Sequence, residues 1–235
     1  MTDQDSPLDR IGVKEQLEAK VVDTRTDPRI HGYSVHDDLA RHYSFGEVIL
    51  LTITGEPPTE RVGRAFEVAL TYMTPISIAE APAHAARLGQ TVNSSVSGVV
   101  SLAATALSEQ ARWLLDEHAD VLAWLADGGE AFSEQARADS SEQRQQVANL
   151  HAAVSDELGD LAIFSNDPAL WPALLGVLYA CGLREPDQIL PAIVQARLST
   201  AVAEATAVVP GRLKDYPINV PPIRYTDERD SEDKR

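Results

Sequence analysis

The chain has 235 residues, of which 44% are hydrophobic and 24% are charged, and its formal net charge is −16 at pH 7. This length and hydrophobic fraction allow one large domain with a substantial core. The acidic balance argues against nucleic-acid binding as the main role and against attraction to anionic membranes. An anionic ligand would therefore need a local group of arginine or lysine side chains.

The single cysteine, Cys181, excludes an internal disulfide and a zinc site built on cysteines. It lies in an apolar run, which predicts a buried and unreactive thiol. His31, His36 and His42 are spaced by five and six residues, so they do not share a helix face and we expect no metal site. The opening MTDQDSPLDR is polar and acidic, so we expect a cytoplasmic protein without a signal peptide or transmembrane helix.

Helical signals begin after a polar stretch, 1–28, which predicts a loose N-terminal arm. Residues 29–59 read RIHGYSVHDDLARHYSFGEVILLTITGEPPT: a strand or turn at Gly32 and Tyr33, two helices, and a stop at Gly55. Two capping patterns start these helices, S-x-x-D at Ser34 and Asp37 and S-x-x-E at Ser44 and Glu47. We predict helices at 35–42, 45–54 and 59–72.

The remainder of the chain alternates apolar helical runs with polar connections. Residues 75–83 form a connection, and 99–107 and 113–124 read as buried or half-buried helix. Composition becomes strongly polar at Asp127, so 127–147 is predicted to be a mobile surface segment or a reduced lid. Further helices are expected at 147–164, 168–182 and 186–208, then a proline-rich extended end and a disordered tail at 226–235. The predicted fold class is all-α.

The motifs of 29–59 resemble the opening of the citrate synthase superfamily, which includes citryl-CoA lyase: an R-x-x-G-Y turn, a D-L helix, an S-F-x-E-V helix and a G-E-x-P-T turn. HAARLGQTVNSSVSGVVSLAATAL (84–107) and the run from 174 to 206 are similar to later family segments. The resemblance implies a helical core, 29–126 and 165–225, with a reduced small domain or polar lid at 127–164. It also implies a dimer and chemistry at a carbon–carbon bond next to a CoA thioester.

Several family residues have no counterpart here. Where the family has a histidine followed by two glycines, this chain reads LSEQARWLL (107–115), and no G-x-G-H-R occurs between 112 and 165. The family aspartate that acts as general base falls at Trp171 or Pro172, or at Asp167 after a slip of a few residues. The resemblance therefore implies a divergent or catalytically inactive member.

Five residues are candidates for a site. Asp167 could be the general base, although Asp before Pro168 is also the usual start of a helix. The resemblance places Arg197 where a family arginine meets a substrate carboxylate, although it could also pair with an acid on the helix surface. Further candidates for binding an anion are Arg87, His84 and Asn93. For Arg87 and Asn93 the alternative is an ordinary helix junction. For His84 the alternative is a core or surface histidine without a catalytic role.

Two functions remain open from the sequence. One is an acyl-CoA lyase or synthase, with a CoA thioester as substrate, a di- or tricarboxylate as ligand and no resident cofactor. The other is a scaffold or regulatory subunit that forms a homodimer or pairs with an active paralogue. The apolar helices 99–125 and 168–182 are long enough for a large interface.

Overall fold

The computed structural model describes residues 18–128 and 132–207. Within them the α-helices are α1 (Ala40–His42), α2 (Phe45–Thr54), α3 (Glu60–Met73), α4 (Ala81–Thr91), α5 (Val96–Glu117), α6 (Ala119–Asp127), α7 (Ser141–Leu158), α8 (Leu170–Ala180) and α9 (Pro186–Thr206). In the described residues the only strands are three of two residues each, which precede these helices. The all-α prediction is therefore confirmed. The extended end and the tail predicted after 208 lie outside the described residues. None of the described helices combines the length and apolarity that crossing a bilayer requires.

The strands form a small antiparallel sheet before the first helix. They are β1 (Val22–Asp23), β2 (Arg29–Ile30) and β3 (Tyr33–Ser34), in the order β1-β2-β3. The β2–β3 hairpin turns at His31 and Gly32, whose φ angles are 48° and 87°. Two consecutive left-handed residues are the requirement of a type I′ turn, which explains the glycine in the G-Y motif.

The first helical segment departs from the predicted α-helix at 35–42. Residues Val35–Leu39 form a π-helical stretch that continues into α1. Ser34 Oγ accepts a hydrogen bond from the Asp37 amide, as predicted, but the carboxylate that accepts from the Ser34 amide is that of Asp38, at 2.8 Å. The reciprocal partner is one residue later than in a regular capping box because the segment has the wider π-helical turn.

Helix α2 matches its prediction at both ends. Ser44 Oγ accepts from the Glu47 amide at 3.1 Å, and Glu47 Oε2 accepts from the Ser44 amide at 2.7 Å, which completes the capping box. Gly55 ends the helix in the left-handed conformation, with φ 82°.

We expect Ser44→Ala to destabilise the fold by about 1 kcal/mol, because it leaves the Glu47 amide without its cap. Urea unfolding followed by circular dichroism measures the change. Ser199→Ala on the exposed surface of α9 is the control, and equal effects of the two substitutions would contradict a capping role for Ser44.

Two compact units make up the chain. Unit 1 comprises Met1–Pro75 and Leu107–Arg197, and unit 2 comprises Ile76–Ala106 and Leu198–Arg235. In unit 1, α3 packs against α2, α7 and α8. The largest side chains at this core are almost completely buried, among them Phe66, Leu50, Leu150, Leu174 and Leu178. Helix α8 is buried from Pro172 to Leu178, so its apolar sequence contributes to the core of unit 1.

The segment predicted as a polar lid contributes to the core of unit 1. Helix α7 begins at Ser141 rather than Val147, and Ser140 caps it by accepting from the Gln143 amide. Its buried side chains are Val147, Leu150 and Val154, a spacing of three and four residues. Before it, Phe132, Ala136 and Ala138 are also buried.

A short β-bridge fixes the loop before α7 to the loop before α8. The Ala138 amide donates to the Asp167 carbonyl at 2.9 Å, and the Ala169 amide donates to the Ala136 carbonyl at 2.7 Å. Arg137 also donates through Nη1 to the Asn166 carbonyl at 2.6 Å. We call residues 136–138 and 167–169 with these bonds the interloop bridge.

Unit 2 contains α4, the first half of α5 and the end of α9. Gly89 lets α4 approach α5 closely, because a Cβ at this position would lie 2.7 Å from Leu102 Cδ1. Small buried residues such as Ala86, Ala103 and Ala205 complete this packing. The prediction of helices at 99–107 and 113–124 missed that α5 runs without a break through 108–112.

Candidate functional site

Arg197 lies on α9 with only 4% of the residue exposed. Its Nη1 donates to Gln110 Oε1 at 3.0 Å, and its Nη2 donates to the Pro75 carbonyl at 3.1 Å. The guanidinium also lies over the Trp171 ring, with 5.7 Å between Cζ and the ring centroid. Both terminal nitrogens of the predicted carboxylate ligand therefore bind groups of the protein itself.

Trp171 belongs to this cluster, and its side chain bears on which residue could act as the general base. It is one of the three positions, with Pro172 and Asp167, at which the resemblance places the family general base. An indole has no proton-accepting group of the required kind, because its ring nitrogen only donates. In this chain the ring instead supports the guanidinium of Arg197 by a cation–π contact.

Asp167 lies at the surface of unit 1, where half of its side chain is exposed. Its Oδ2 accepts from Arg144 Nε at 2.9 Å, and its backbone is left-handed with φ 51°. The alternative interpretation of Asp167 as the N-cap of the following helix is wrong, because α8 begins at Leu170 after Ala169. The interloop bridge pairs Pro168 with Arg137, and Ala169 is extended, so the start of the helix is delayed.

The three other candidates lie in unit 2. Arg87 is half-buried on α4 and donates through Nη1 to the Ala205 carbonyl at 3.3 Å, near the end of α9. His84 is exposed one turn earlier on the same helix. Asn93 is exposed after the helix and is left-handed, with φ 59°. Asparagine tolerates this conformation well, so Asn93 suits the turn between α4 and α5.

The structure joins each candidate to a different set of partners. Arg197 binds Gln110 and Pro75, Asp167 binds Arg144, and Arg87 binds the backbone of α9. The sequence reasoning missed Gln110 and Arg144. Neither had a local signal, because Gln110 lies in the polar stretch SEQAR (108–112) and Arg144 also lies among polar neighbours.

A cavity of about 420 Å³ lies between α3 and α7 in unit 1. Its polar lining comes from the side chains of Arg64, Glu67, Thr71, Tyr72 and Glu157. Arg64 Nε lies 3.1 Å from Glu157 Oε1, so the cation of this groove already has a carboxylate partner. Glu67 leaves the lining with one more negative than positive side chain, and the sequence did not indicate this groove.

Cys181 is buried against α3, and its thiol donates to the Val62 carbonyl across 3.8 Å. Burial raises the pKa of this thiol to about 12. Thiolate is the reactive form, so the folded protein holds an inert cysteine, as the sequence predicted.

We expect no reaction of native protein with a disulfide reagent such as Ellman's reagent at pH 8, and one thiol released per chain after unfolding in urea. Absorbance of the released thiolate gives the count. Rapid labelling of the folded chain would contradict the burial of Cys181. A silent Cys181 also means that thiol-release assays of CoA esters carry no background from the protein.

Among residues 18–128 and 132–207, no group of three or more histidine, cysteine, aspartate or glutamate side chains is placed to hold a metal ion.

The chain has a citrate-synthase-like helical fold, as comparison with solved structures shows. It is similar to citryl-CoA lyase from Hydrogenobacter thermophilus, with a TM-score of 0.56 and 18% identity over 93% of this chain and 99% of that one. It is also similar to a variant of ATP citrate lyase from Methanosaeta concilii in complex with (3S)-citryl-CoA, with a TM-score of 0.66 and 12% identity. That match covers 99% of this chain and 46% of the lyase, so the chain spans about half the length of that relative.

No protein-family model matches the sequence, and no curated protein matches it either. The structural likeness confirms the fold that the motifs of 29–59 predicted. At 12% and 18% identity it defines the fold alone, so the chemistry must be argued from the residues of this chain.

Proposed function

We propose that this protein is a catalytically inactive relative of the enzymes that make or break carbon–carbon bonds at an acyl-CoA, and that it acts as a non-catalytic subunit. The observation that carries this proposal is the environment of Arg197. Its guanidinium binds Gln110, the Pro75 carbonyl and the Trp171 ring inside the fold. A buried arginine used in this way holds helices together, whereas a substrate carboxylate would have to displace two hydrogen bonds.

The position of the general base supports the same proposal. Removing a proton from an acyl methyl group needs a carboxylate that is desolvated and held close to the substrate. Asp167 is half-exposed and its carboxylate is engaged by Arg144, so it lacks the desolvated setting close to a substrate that this chemistry requires. Trp171 and Pro172, the other positions that the resemblance offers, have no basic group.

The test is calorimetric titration of the purified protein with acetyl-CoA, CoA and oxaloacetate, followed by a thiol-release assay of every ligand that binds. We expect no turnover of acetyl-CoA with oxaloacetate and no cleavage of citryl-CoA. Turnover that Asp167→Ala abolishes would overturn the proposal. Asp160→Ala is the matched control, because Asp160 is an exposed carboxylate in the same unit.

One observation favours the alternative, a divergent lyase or synthase with Asp167 as its base. Asp167 is a non-glycine residue in the left-handed region, and strained backbone occurs often at functional sites. The interloop bridge offers a structural reason for the same strain, since it fixes both neighbours of Asp167. We therefore place the alternative second, and the Asp167→Ala and Asp160→Ala pair separates the two functions.

A non-catalytic subunit needs a surface for its partner, and α5 offers one in unit 1. Trp113 is 61% exposed on this helix, an uncommon position for the largest apolar side chain. Arg112, beside it, pairs with Glu109 at 2.7 Å and Asp116 at 3.5 Å, which gives the aromatic ring a charged rim. An aromatic centre with a polar rim is the usual composition of a protein interface. We propose a second copy of the chain as the default partner.

We expect Trp113→Glu to shift the protein from dimer to monomer, with at least a tenfold weaker association constant, because tryptophans at interface centres carry about 2 kcal/mol or more. Sedimentation velocity over a concentration series measures the shift. Ala148→Glu adds the same charge at an exposed position of α7 and should leave association unchanged. A monomeric wild-type protein, or equal effects of both substitutions, would contradict the interface on α5.

A further inference from the structure

An apolar cavity of about 340 Å³ lies in unit 1 between α6, the 3-10 helix Ala162–Asn166 and α8. Its volume is within the range of small-molecule sites. Aliphatic and aromatic side chains form most of its wall, and among the described residues that line it, only Trp124 and Tyr179 bring polar side-chain atoms. A ligand with many polar groups would lose its hydrogen bonds to water on entering the cavity. The cavity therefore suits a hydrocarbon group.

The wall of this cavity is fixed by packing on two sides. Trp124 meets Phe132 edge-to-face, with 5.3 Å between ring centroids. Gly176 forms part of the lining, and a Cβ there would lie 2.7 Å from Ile163 Cγ2, so the backbone of α8 and the Ile163 side chain are in close contact. A wall with little freedom to collapse preserves the cavity for an occupant.

A cation lies beside the cavity. The guanidinium of Arg184 is over the Tyr179 ring, with 5.6 Å between Cζ and the ring centroid, and Tyr179 also lines the cavity. Arg184 is exposed, and no carboxylate of the described residues forms an ion pair with it. Because the chain has a net charge of −16, an anionic ligand requires a local cation. Arg184 supplies that cation next to the apolar cavity.

We propose that this cavity binds the alkyl chain of a medium-chain carboxylate, a fatty-acid-like anion, whose carboxylate is held by Arg184. The guanidinium matches a carboxylate in charge and in the geometry of its paired donors. The alkyl chain would contact Trp124, Tyr179 and Ile163 and would leave the head group at the solvent-exposed side. This site does not depend on the proposed loss of catalysis.

The experiment titrates the full chain with decanoate and with decanol, which have the same number of carbons and differ in head-group charge. Tryptophan fluorescence and calorimetry both report binding, since Trp124 lines the cavity. We expect saturable binding of one decanoate per chain. Arg184→Gln should weaken decanoate binding about three- to tenfold and leave decanol unchanged, because it removes only the charge at the head group.

Two further variants separate the site from general effects on the protein. Ala180→Leu adds bulk at an exposed residue of the cavity lining and should weaken decanoate and decanol alike. Arg41→Gln removes an exposed arginine on α1 and should change neither ligand. Thermal unfolding of each variant checks that it folds.

Three results would overturn the proposal: no saturable binding of decanoate, decanoate binding unaffected by Arg184→Gln, or binding unaffected by Ala180→Leu. Self-association that Ala180→Leu abolishes, together with no decanoate binding, would assign the cavity to a side chain of a second copy instead.

Discussion

We expect Arg197→Met to lower the free energy of unfolding by about 2–4 kcal/mol, one of the two largest effects among these predictions. Methionine fills much of the same volume, but it removes the two donors that the buried guanidinium supplies to Gln110 Oε1 and the Pro75 carbonyl at a part-buried site. It also removes the cation–π contact with Trp171. Urea unfolding followed by circular dichroism measures the loss as a lower transition midpoint.

The controls for Arg197 separate structure from ligand binding. Arg112→Met removes an exposed arginine and should change stability by no more than about 0.5 kcal/mol. Arg197→Lys keeps the charge without the fork of donors, so we expect an intermediate loss. If Arg197→Met were as stable as wild type and abolished binding of a carboxylate, the guanidinium would serve a ligand and the proposed function would fail.

Leu150→Ala should destabilise the protein by about 2–5 kcal/mol, as is usual for a large aliphatic side chain removed from a packed core. Leu150 is fully buried on α7, in the core that also contains Phe66 and Leu178. The prediction is specific to the observed structure, because a mobile polar lid would tolerate the substitution. The same unfolding experiment measures it, with the slope of the transition as a check on two-state behaviour.

Asn149→Ala is the matched control for Leu150, since Asn149 is the preceding residue on α7 and is exposed. Alanine is the better helix former, so the control should be neutral or slightly stabilising. Equal behaviour of the two variants would mean that α7 does not pack on α3 and α8 in solution.

The parts of the fold that were predictable from sequence are those that local chemistry decides. Ser44, Glu47 and Gly55 set the ends of α2 through a capping box and a left-handed cap, and both ends were predicted. The hairpin turn before it follows from Gly32, which takes a positive φ without strain. The order of these signals was also enough to suggest the superfamily whose fold the structure has.

The parts that were not predictable depend on contacts far along the chain. Helix α7 carries its buried residues at a sparse spacing within a polar sequence, so its first turns read as a surface segment. The start of α8 was misplaced because Pro168 pairs with Arg137 in the interloop bridge, and this tertiary contact overrides the helix-start signal of Asp167 and Pro168. Arg197 stood out by its position in a motif, but its partners Gln110 and Pro75 lie on other elements.

The interloop bridge also determines where the polypeptide can be cut, extended or labelled. One extra residue between 136 and 138 would shift its pairing with 167–169 by a position and turn buried side chains outward. The turn at Gly159 and Asp160 is exposed, and its glycine carries a positive φ of 70° without a side chain. New chain termini for circular permutation therefore belong between 159 and 160, and a fluorescent dye belongs on Asp160, because any side chain introduced at Gly159 would be strained.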